Sequence, residues 1–194
     1  MKCIYCDKQI EKITLKSLLI KEDPLCPKCR NQLNRRIRKK KVDDIEVEYF
    51  YDYDGIFSSI LLQYKECYDE ALSEVFAYDI VDYVKIRYYG YKVCFVPSSE
   101  ENYCKRGFHP MELILKSGRM EEVESVNMVN QLCQKGKSGA DRKLMEHNFN
   151  YQGKMLDKVL IVDDVLTTGS TIKGMYNALK PYCTTVKVLV MAVA

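Results

Sequence analysis

The segment from Val159 to Thr171 constrains the fold of this chain more than any other. It begins with four apolar residues, continues with Asp163 and Asp164, and then has a short stretch rich in hydroxyl side chains around Gly169. A wholly apolar run is typical of a strand buried in a parallel sheet, and helical periodicity begins at Ser170. The sequence therefore predicts a strand, a tight loop at its carboxyl end, and a helix.

The residue types in this loop suit a phosphorylated sugar. A helix start offers free N–H groups and the positive end of the helix dipole to a phosphate. A glycine lets the backbone approach that phosphate closely. The two aspartates would repel a bare phosphate, but they can accept hydrogen bonds from sugar hydroxyls beside it. We therefore expect a ribose 5-phosphate site built from Asp163, Asp164, Thr167, Thr168, Gly169, Ser170 and Thr171. An ordinary strand–loop–helix turn with capping residues is the alternative.

The rest of the chain supplies the other elements of a Rossmann-like α/β domain. Apolar runs or alternation predict strands at 45–51, 93–96, 123–129, 159–162 and 186–193. Apolar residues spaced three and four apart predict helices at 56–64, 72–86, 108–116 and 170–179. The order strand, helix, strand at the end of the chain predicts a right-handed βαβ crossover in a parallel sheet that is covered on both faces.

Four cysteines near the start of the chain form a C-x2-C-x19-C-x2-C pattern. Each two-residue spacer lets one turn present two thiolates to the same ion, so the spacing is typical of a tetrahedral structural zinc site. Four protein ligands would fill the coordination sphere, and the zinc would contribute ~10 kcal/mol to folding rather than take part in catalysis. Four free thiols are the alternative. The predicted ligands are Cys3, Cys6, Cys26 and Cys29.

Formal charge is divided unevenly along the chain. Residues 1–41 carry 13 basic and 4 acidic side chains, whereas residues 42–194 carry 17 and 23. We therefore expect a basic zinc knuckle at 1–41 and an α/β domain at 42–194. The basic run Arg35–Lys41 would be either a solvated linker or a strip that contacts a nucleic-acid backbone. Tyrosines next to basic residues at 87–92 could stack on bases, with core packing or ordinary surface positions as the alternative.

No part of the sequence predicts a membrane protein. No run approaches 18 consecutive apolar residues, and the N-terminus lacks the apolar stretch of a secretory signal. The nine cysteines are odd in number, which favours free thiols over a disulfide framework. We therefore expect a cytoplasmic protein.

The loop at 159–171 resembles the signature of the type I phosphoribosyltransferases. That signature has four apolar residues, two acidic residues, two apolar residues and then Thr-Thr-Gly-x-Thr, and every position matches here. The resemblance implies that Asp163 and Asp164 hold the ribose hydroxyls of phosphoribosyl pyrophosphate (PRPP). It also implies that the loop binds the 5′-phosphate and that Mg²⁺ accompanies the pyrophosphate.

Nearly the whole chain is similar to the ComF family of competence-associated phosphoribosyltransferase-like proteins, which join a four-cysteine knuckle to this domain. Further matches to the family are Tyr64-Lys65, Val96-Pro97, Arg106-Gly107-Phe108, Gln134, Arg142 and Phe149. The chain departs from the family at His109, Ser98-Ser99 and Met145. The resemblance implies a role in DNA uptake and natural transformation, with single-stranded DNA or the competence helicase as partners.

Two basic residues are further candidates for the site, and three alternative functions stay open. Lys105 and Arg106 follow the predicted strand at 93–96, so they are candidates to meet pyrophosphate, with a solvated basic pair as the alternative. The chain could instead be an active nucleobase phosphoribosyltransferase of purine or pyrimidine salvage, or a binding module without catalysis. A weaker alternative is an ATPase, because Gly136-Lys137-Ser138 looks like half of a Walker A loop.

Overall fold

A six-stranded sheet forms the centre of the protein in the computed structural model, which describes residues 1–10, 22–120, 123–125, 149, 151 and 153–194. The strands are β1 (Arg38–Val42), β2 (Ile45–Asp52), β3 (Lys92–Phe95), β4 (Val123–Ser125), β5 (Leu156–Leu166) and β6 (Cys183–Val193). Their spatial order is β1-β2-β6-β5-β3-β4. Only β1 is antiparallel to its neighbour, and the other pairings are parallel. The sheet is therefore mostly parallel, as the sequence predicts, but it also has an antiparallel edge strand that the sequence did not predict.

Helices cover both faces of the sheet. In the described part of the chain they are α1 (Pro27–Leu33), α2 (Gly55–Glu66), α3 (Ser73–Arg87), α4 (Glu100–Arg106), α5 (Pro110–Ser117) and α6 (Ser170–Leu179). The core on one face contains buried residues of α1, α2, α3 and α5. The core on the other face contains the buried side of α6.

Strand β5 lies between these two cores. Its residues Leu160 and Val162 belong to the first core, on the face covered by α1, α2, α3 and α5. Val159 and Ile161 belong to the second core, on the face covered by α6. Successive side chains of a strand point to opposite faces, so a strand that is buried on both faces needs apolar residues at every position. This explains the unbroken apolar run from which the sequence predicts a buried parallel strand.

The predicted βαβ unit is confirmed, with two differences nearby. Strands β5 and β6 are parallel neighbours joined by α6. However, β5 does not end before the aspartates, because its pairing with β6 continues from Asp163 opposite Val190 to Leu166 opposite Val193. Helix α4 was not predicted. It is seven residues long, and the Ser99 side chain caps its start.

Most of the basic run is an edge strand rather than a linker. Lys39, Lys40 and Lys41 lie in β1, where Lys40 pairs with Val47 of β2 across a tight turn at 43–44. The linker alternative is therefore wrong for this part of the run. Exposed lysines on an edge strand also discourage pairing with a strand from another molecule.

The N-terminal segment packs against the first core through apolar contacts and one buried carboxylate. Arg30 of α1 donates to Asp79 of α3 at 2.6 Å, and the Tyr51 hydroxyl donates to the same Asp79 oxygen at 2.6 Å. Burial raises the pKa of Asp79 above its ordinary value even though Arg30 and Arg35 oppose this effect. The contact therefore fixes how α1 sits on α3, while the division into 1–41 and 42–194 stays a prediction. Among the described residues, none of the helices is long and apolar enough to span a membrane.

Candidate functional site

A cavity of about 270 Å³ opens at the carboxyl ends of β3 and β5. After β3 the chain moves outward to β4, whereas after β5 it moves the opposite way to β6. This is a topological switch point, where open α/β sheets bind their ligands. The cavity is lined by Lys65, Val96, Pro97, Ser98, Ser99, Asn102, Arg106, Pro110, Met111, Asp163, Asp164, Val165 and Thr171.

The two predicted aspartates lie at the floor of this cavity in different environments. The backbone N–H of Asp164 donates to Asp163 Oδ1 at 2.8 Å. Burial raises the pKa of Asp163 well above its ordinary value and the charge of Asp164 adds to this, while the Asp164 N–H and Lys65 oppose it. Asp164 forms an ion pair with Lys65, with Nζ 2.8 Å from Oδ2. Both carboxyl groups are therefore placed to accept from a ligand at the end of β5.

The hydroxyl-rich loop connects these aspartates to α6. Gly169 precedes the helix with a φ of +80°, a left-handed conformation that favours glycine. Thr167, Thr168 and Ser170 are exposed, and the Thr168 and Ser170 hydroxyls lie 3.0 Å apart. Thr171 faces the cavity. Of the predicted loop residues Thr171 therefore lines the cavity at the start of the ten-residue α6, whereas Thr167, Thr168, Gly169 and Ser170 are not part of its lining.

The two candidate basic residues lie in different places. Arg106 lines the cavity, where Nε donates to the Lys65 carbonyl at 3.0 Å and Nη2 contacts Glu66 at 2.7 Å. The Lys105 side chain is 61% exposed on α4 and pairs with Glu101. Arg106 therefore lies in the cavity at the ends of β3 and β5, whereas Lys105 lies on the exposed surface of α4.

Sequence reasoning assigned no role to Lys65, although Tyr64-Lys65 was among the matches to the ComF family. Tyr64 is fully buried, and its hydroxyl donates to the Pro110 carbonyl at 2.7 Å. This bond joins α2 to the start of α5, and the next side chain, Lys65, reaches Asp164 of β5. The His109 Nδ1 atom accepts from the Ser98 N–H at 3.2 Å and so helps to shape the segment after β3.

Some predicted positions lie outside the described residues. They are Gln134, Arg142, Met145 and the Walker-like Gly136-Lys137-Ser138.

The four N-terminal cysteines form a second candidate site. Their Sγ atoms all lie within 4.8 Å of one another. The Cys6 and Cys26 sulfurs are 3.7 Å apart, close to the edge of ~3.8 Å expected for a tetrahedron with ~2.3 Å metal–sulfur bonds. Burial raises the pKa of Cys3, but N–H groups of Cys26, Cys6 and Tyr5 outweigh it and lower the pKa to about 7. Burial and the neighbouring thiols raise the pKa of Cys29. The cluster could therefore hold a metal ion, which would stabilise the thiolates together.

The sequence of this chain is similar to that of a known competence protein. The chain is 23% identical over 186 residues to competence protein ComFC of Streptococcus pneumoniae, and the match covers 92% of this chain and 80% of the relative. The chain is therefore similar to ComFC over most of its length. The predicted resemblance to the ComF family is thereby confirmed, and the structure has a mostly parallel α/β sheet and clustered N-terminal cysteines.

Solved structures similar to this chain include two crystal forms of a hypoxanthine phosphoribosyltransferase from Staphylococcus aureus. The orthorhombic form has a TM-score of 0.42 and the tetragonal form a TM-score of 0.38, each at 15% sequence identity. Each match covers 64% of this chain, and the chain spans 64% of the enzyme's length. No family model matches the chain.

Replacement of Gly169 by alanine tests how tightly the loop is packed. A Cβ at Gly169 would lie 2.6 Å from Val42 Cγ1, whereas one at Gly90, which has a similar φ of +78°, would meet nothing within 4 Å. We expect Gly90→Ala to lower the free energy of unfolding by about 1–2 kcal/mol through backbone strain. Gly169→Ala should lower it by about 1 kcal/mol more.

Urea unfolding of both variants measures this difference, and Val42→Ala in the Gly169→Ala background should recover part of the extra loss. Equal losses for the two glycine variants would show that the loop is not packed against β1 as described.

Proposed function

We propose that this chain binds PRPP at the carboxyl end of β5 and acts in DNA uptake and natural transformation. The observation that carries the proposal is the placement of Asp163, Asp164 and Thr171 around one cavity at the topological switch point. The competence role comes from the similarity to ComFC. All described cysteines are free thiols, which suits a reducing compartment, and we propose the cytoplasm.

In this proposal each part of PRPP meets a different group. The ribose hydroxyls donate to Asp163 and Asp164. The 5′-phosphate lies at the start of α6, where the N–H groups and the Thr167–Thr171 hydroxyls donate to it. The pyrophosphate lies toward the segment after β3, near Arg106, and Mg²⁺ neutralises part of its charge.

Conversion of the two aspartates to asparagine tests the ribose contacts. An amide presents one fewer acceptor and no charge, so each change should weaken PRPP binding by about 1.5–3 kcal/mol if it removes a charge-assisted hydrogen bond. Isothermal titration with PRPP and Mg²⁺ measures this loss. The matched control is Asp157→Asn, an exposed carboxylate on the same strand, which should bind PRPP as the original chain does.

Thermal unfolding checks that the variants remain folded. The pKa of Asp163 is raised in the folded protein. The free energy of unfolding of the protein therefore falls as the pH rises through the range above the ordinary pKa of an aspartate. Asp163→Asn removes this penalty and should not destabilise the protein at neutral pH. A well-folded chain that gives no heat with PRPP would refute the proposed function.

An active nucleobase phosphoribosyltransferase is the alternative function. The same binding site would then stabilise a ribose cation as pyrophosphate leaves. Incubation with PRPP, Mg²⁺ and a panel of purine and pyrimidine bases separates the two functions, because only the enzyme releases pyrophosphate in a base-dependent way.

We further propose that the four-cysteine cluster holds one structural zinc ion. The sulfur separations suit tetrahedral thiolate coordination, and zinc is the usual ion for four cysteines. The ion would fix the N-terminal segment, whose Arg30 makes the buried contact to Asp79.

Metal analysis of protein purified without chelators should give about one zinc per chain. Cys29→Ser removes one ligand and should lower both the zinc content and the melting temperature. Cys67→Ser is the matched control, because this thiol is exposed and lies at the end of α2. A folded protein without metal would show that the thiols serve another purpose.

Single-stranded DNA is a proposed partner, as is a competence helicase. Lys39 and Lys41 are exposed on β1, where Lys39 forms an ion pair with Glu46 at 2.9 Å. The Tyr89 side chain is 88% exposed. It lies two residues after Arg87 in the sequence, and the charge of Arg87 acts on Lys39. An exposed aromatic ring among cations suits stacking bases and a phosphate backbone.

Neutralisation of Lys39, Lys40 and Lys41 to glutamine tests this partner. We expect weaker binding of an oligothymidylate and a shallower dependence on salt, since each lost phosphate contact releases one counterion fewer. Fluorescence anisotropy across a salt series measures both. The control replaces Lys116, Lys154 and Lys180, which are also exposed lysines. An identical salt slope in the two triple variants would remove β1 from the DNA-binding surface.

A further inference from the structure

The ion pair between Lys65 and Asp164 occupies part of the proposed ribose site. Lys65 Nζ lies 2.8 Å from Asp164 Oδ2, and the two side chains are only 22% and 16% exposed. Both residues line the cavity. A charge sheltered in this way becomes unfavourable when its partner is removed. A ligand hydroxyl that takes the place of Lys65 on Asp164 therefore requires a new acceptor for the Lys65 ammonium.

The other cation of the cavity has less freedom to move. Arg106 is held by the Lys65 carbonyl and by Glu66, so two of its donor nitrogens already have acceptors. Lys65 has a flexible stem and three donors on a single ammonium, and its ion pair is with Asp164, a residue of the site itself. Among the described residues that line the cavity, Lys65 is thus the cation best able to change partners.

We propose that Lys65 exchanges its partner on ligand binding and thereby makes the site selective for intact PRPP over either half of it. In the free protein Lys65 pairs with Asp164. In the complex the ribose hydroxyls donate to Asp164, and the Lys65 ammonium donates to pyrophosphate oxygens. This inference rests on the proposed function, because it assumes that the sugar and the pyrophosphate share the cavity.

The exchange explains the selectivity by charge balance. Ribose 5-phosphate alone would displace Lys65 from Asp164 without offering it the pyrophosphate. Pyrophosphate alone would draw Lys65 away and leave Asp164 without its cation. When both are present, Asp164 accepts from the ribose hydroxyls and Lys65 donates to the pyrophosphate. Neither side chain is then left without a partner. The two halves should therefore favour each other's binding, and by linkage the effect must be the same in both directions.

The test is isothermal titration of ribose 5-phosphate and of magnesium pyrophosphate, each measured alone and with the other saturating. In the original chain we expect the coupling factor to be at least about 10-fold larger than in Lys65→Met. The comparison between proteins is needed because the two anions also repel each other. Lys65→Met should bind ribose 5-phosphate no more weakly than the original chain, since Asp164 is then free, and pyrophosphate about 10-fold or more weakly.

Three further proteins complete the design. Lys65→Arg keeps the charge and should keep most of the coupling. Asp164→Asn releases Lys65, so it should lose the coupling and keep pyrophosphate binding; it serves as the second variant if Lys65→Met does not fold. Lys105→Met is the matched control, because this lysine is exposed and pairs with Glu101; its coupling should be unchanged.

The outcomes separate this inference from the proposed function. If the original chain binds neither ligand nor PRPP, the proposed function fails and this inference fails with it. If the original chain binds them but Lys65→Met or Asp164→Asn keeps the full coupling, only the exchange is refuted. The exchange would also be refuted if Lys65→Met weakened the binding of ribose 5-phosphate and of pyrophosphate equally. Lys65 would then only hold Asp164 in place.

Discussion

The parallel pairing of β5 with β3 and β6 is the constraint on which the rest of this protein depends. It buries both faces of β5, which requires the apolar run before the aspartates. It also brings the end of β5 beside the segment that follows β3, so that Asp163 and Asp164 meet Ser98 and Ser99 across one cavity. The site is therefore a consequence of strand order, because the elements that form it are distant in sequence.

The electrostatics of the cavity follow from the same placement. Two neighbouring carboxyl groups at a buried strand end repel each other, and burial raises the pKa of Asp163. The protein relieves this repulsion in part by placing Lys65 of α2 against Asp164. A ligand that brings sugar hydroxyls and anionic groups together can satisfy both the carboxylates and the cations. This is the physical basis for the proposal that the cavity binds a phosphorylated ribose with a second anionic group.

The N-terminal segment is joined to the sheet by a different kind of interaction. A buried Asp79 accepts from Arg30 of α1 and from Tyr51 of β2, so one carboxylate links three elements. Burial is unfavourable for Asp79, and the two donors reduce that penalty only in this arrangement. The contact thus specifies how the cysteine-bearing segment sits on the sheet. The segment also leads directly into β1, whose Val42 lies over Gly169 at the proposed phosphate loop.

The sequence by itself determined the features that depend on local pattern. The apolar run at 159–162, the acidic pair and Gly169 define a strand, a loop and a helix through rules of periodicity and backbone conformation, and the cysteine spacing defines a cluster through turn geometry. The tertiary structure alone decided which distant residues join them. Lys65 contacts Asp164, which lies 99 positions further along the chain. Most of the basic run forms an edge strand because it pairs with β2. Such contacts depend on how helices pack and strands are ordered, and no local pattern in the chain encodes those distances.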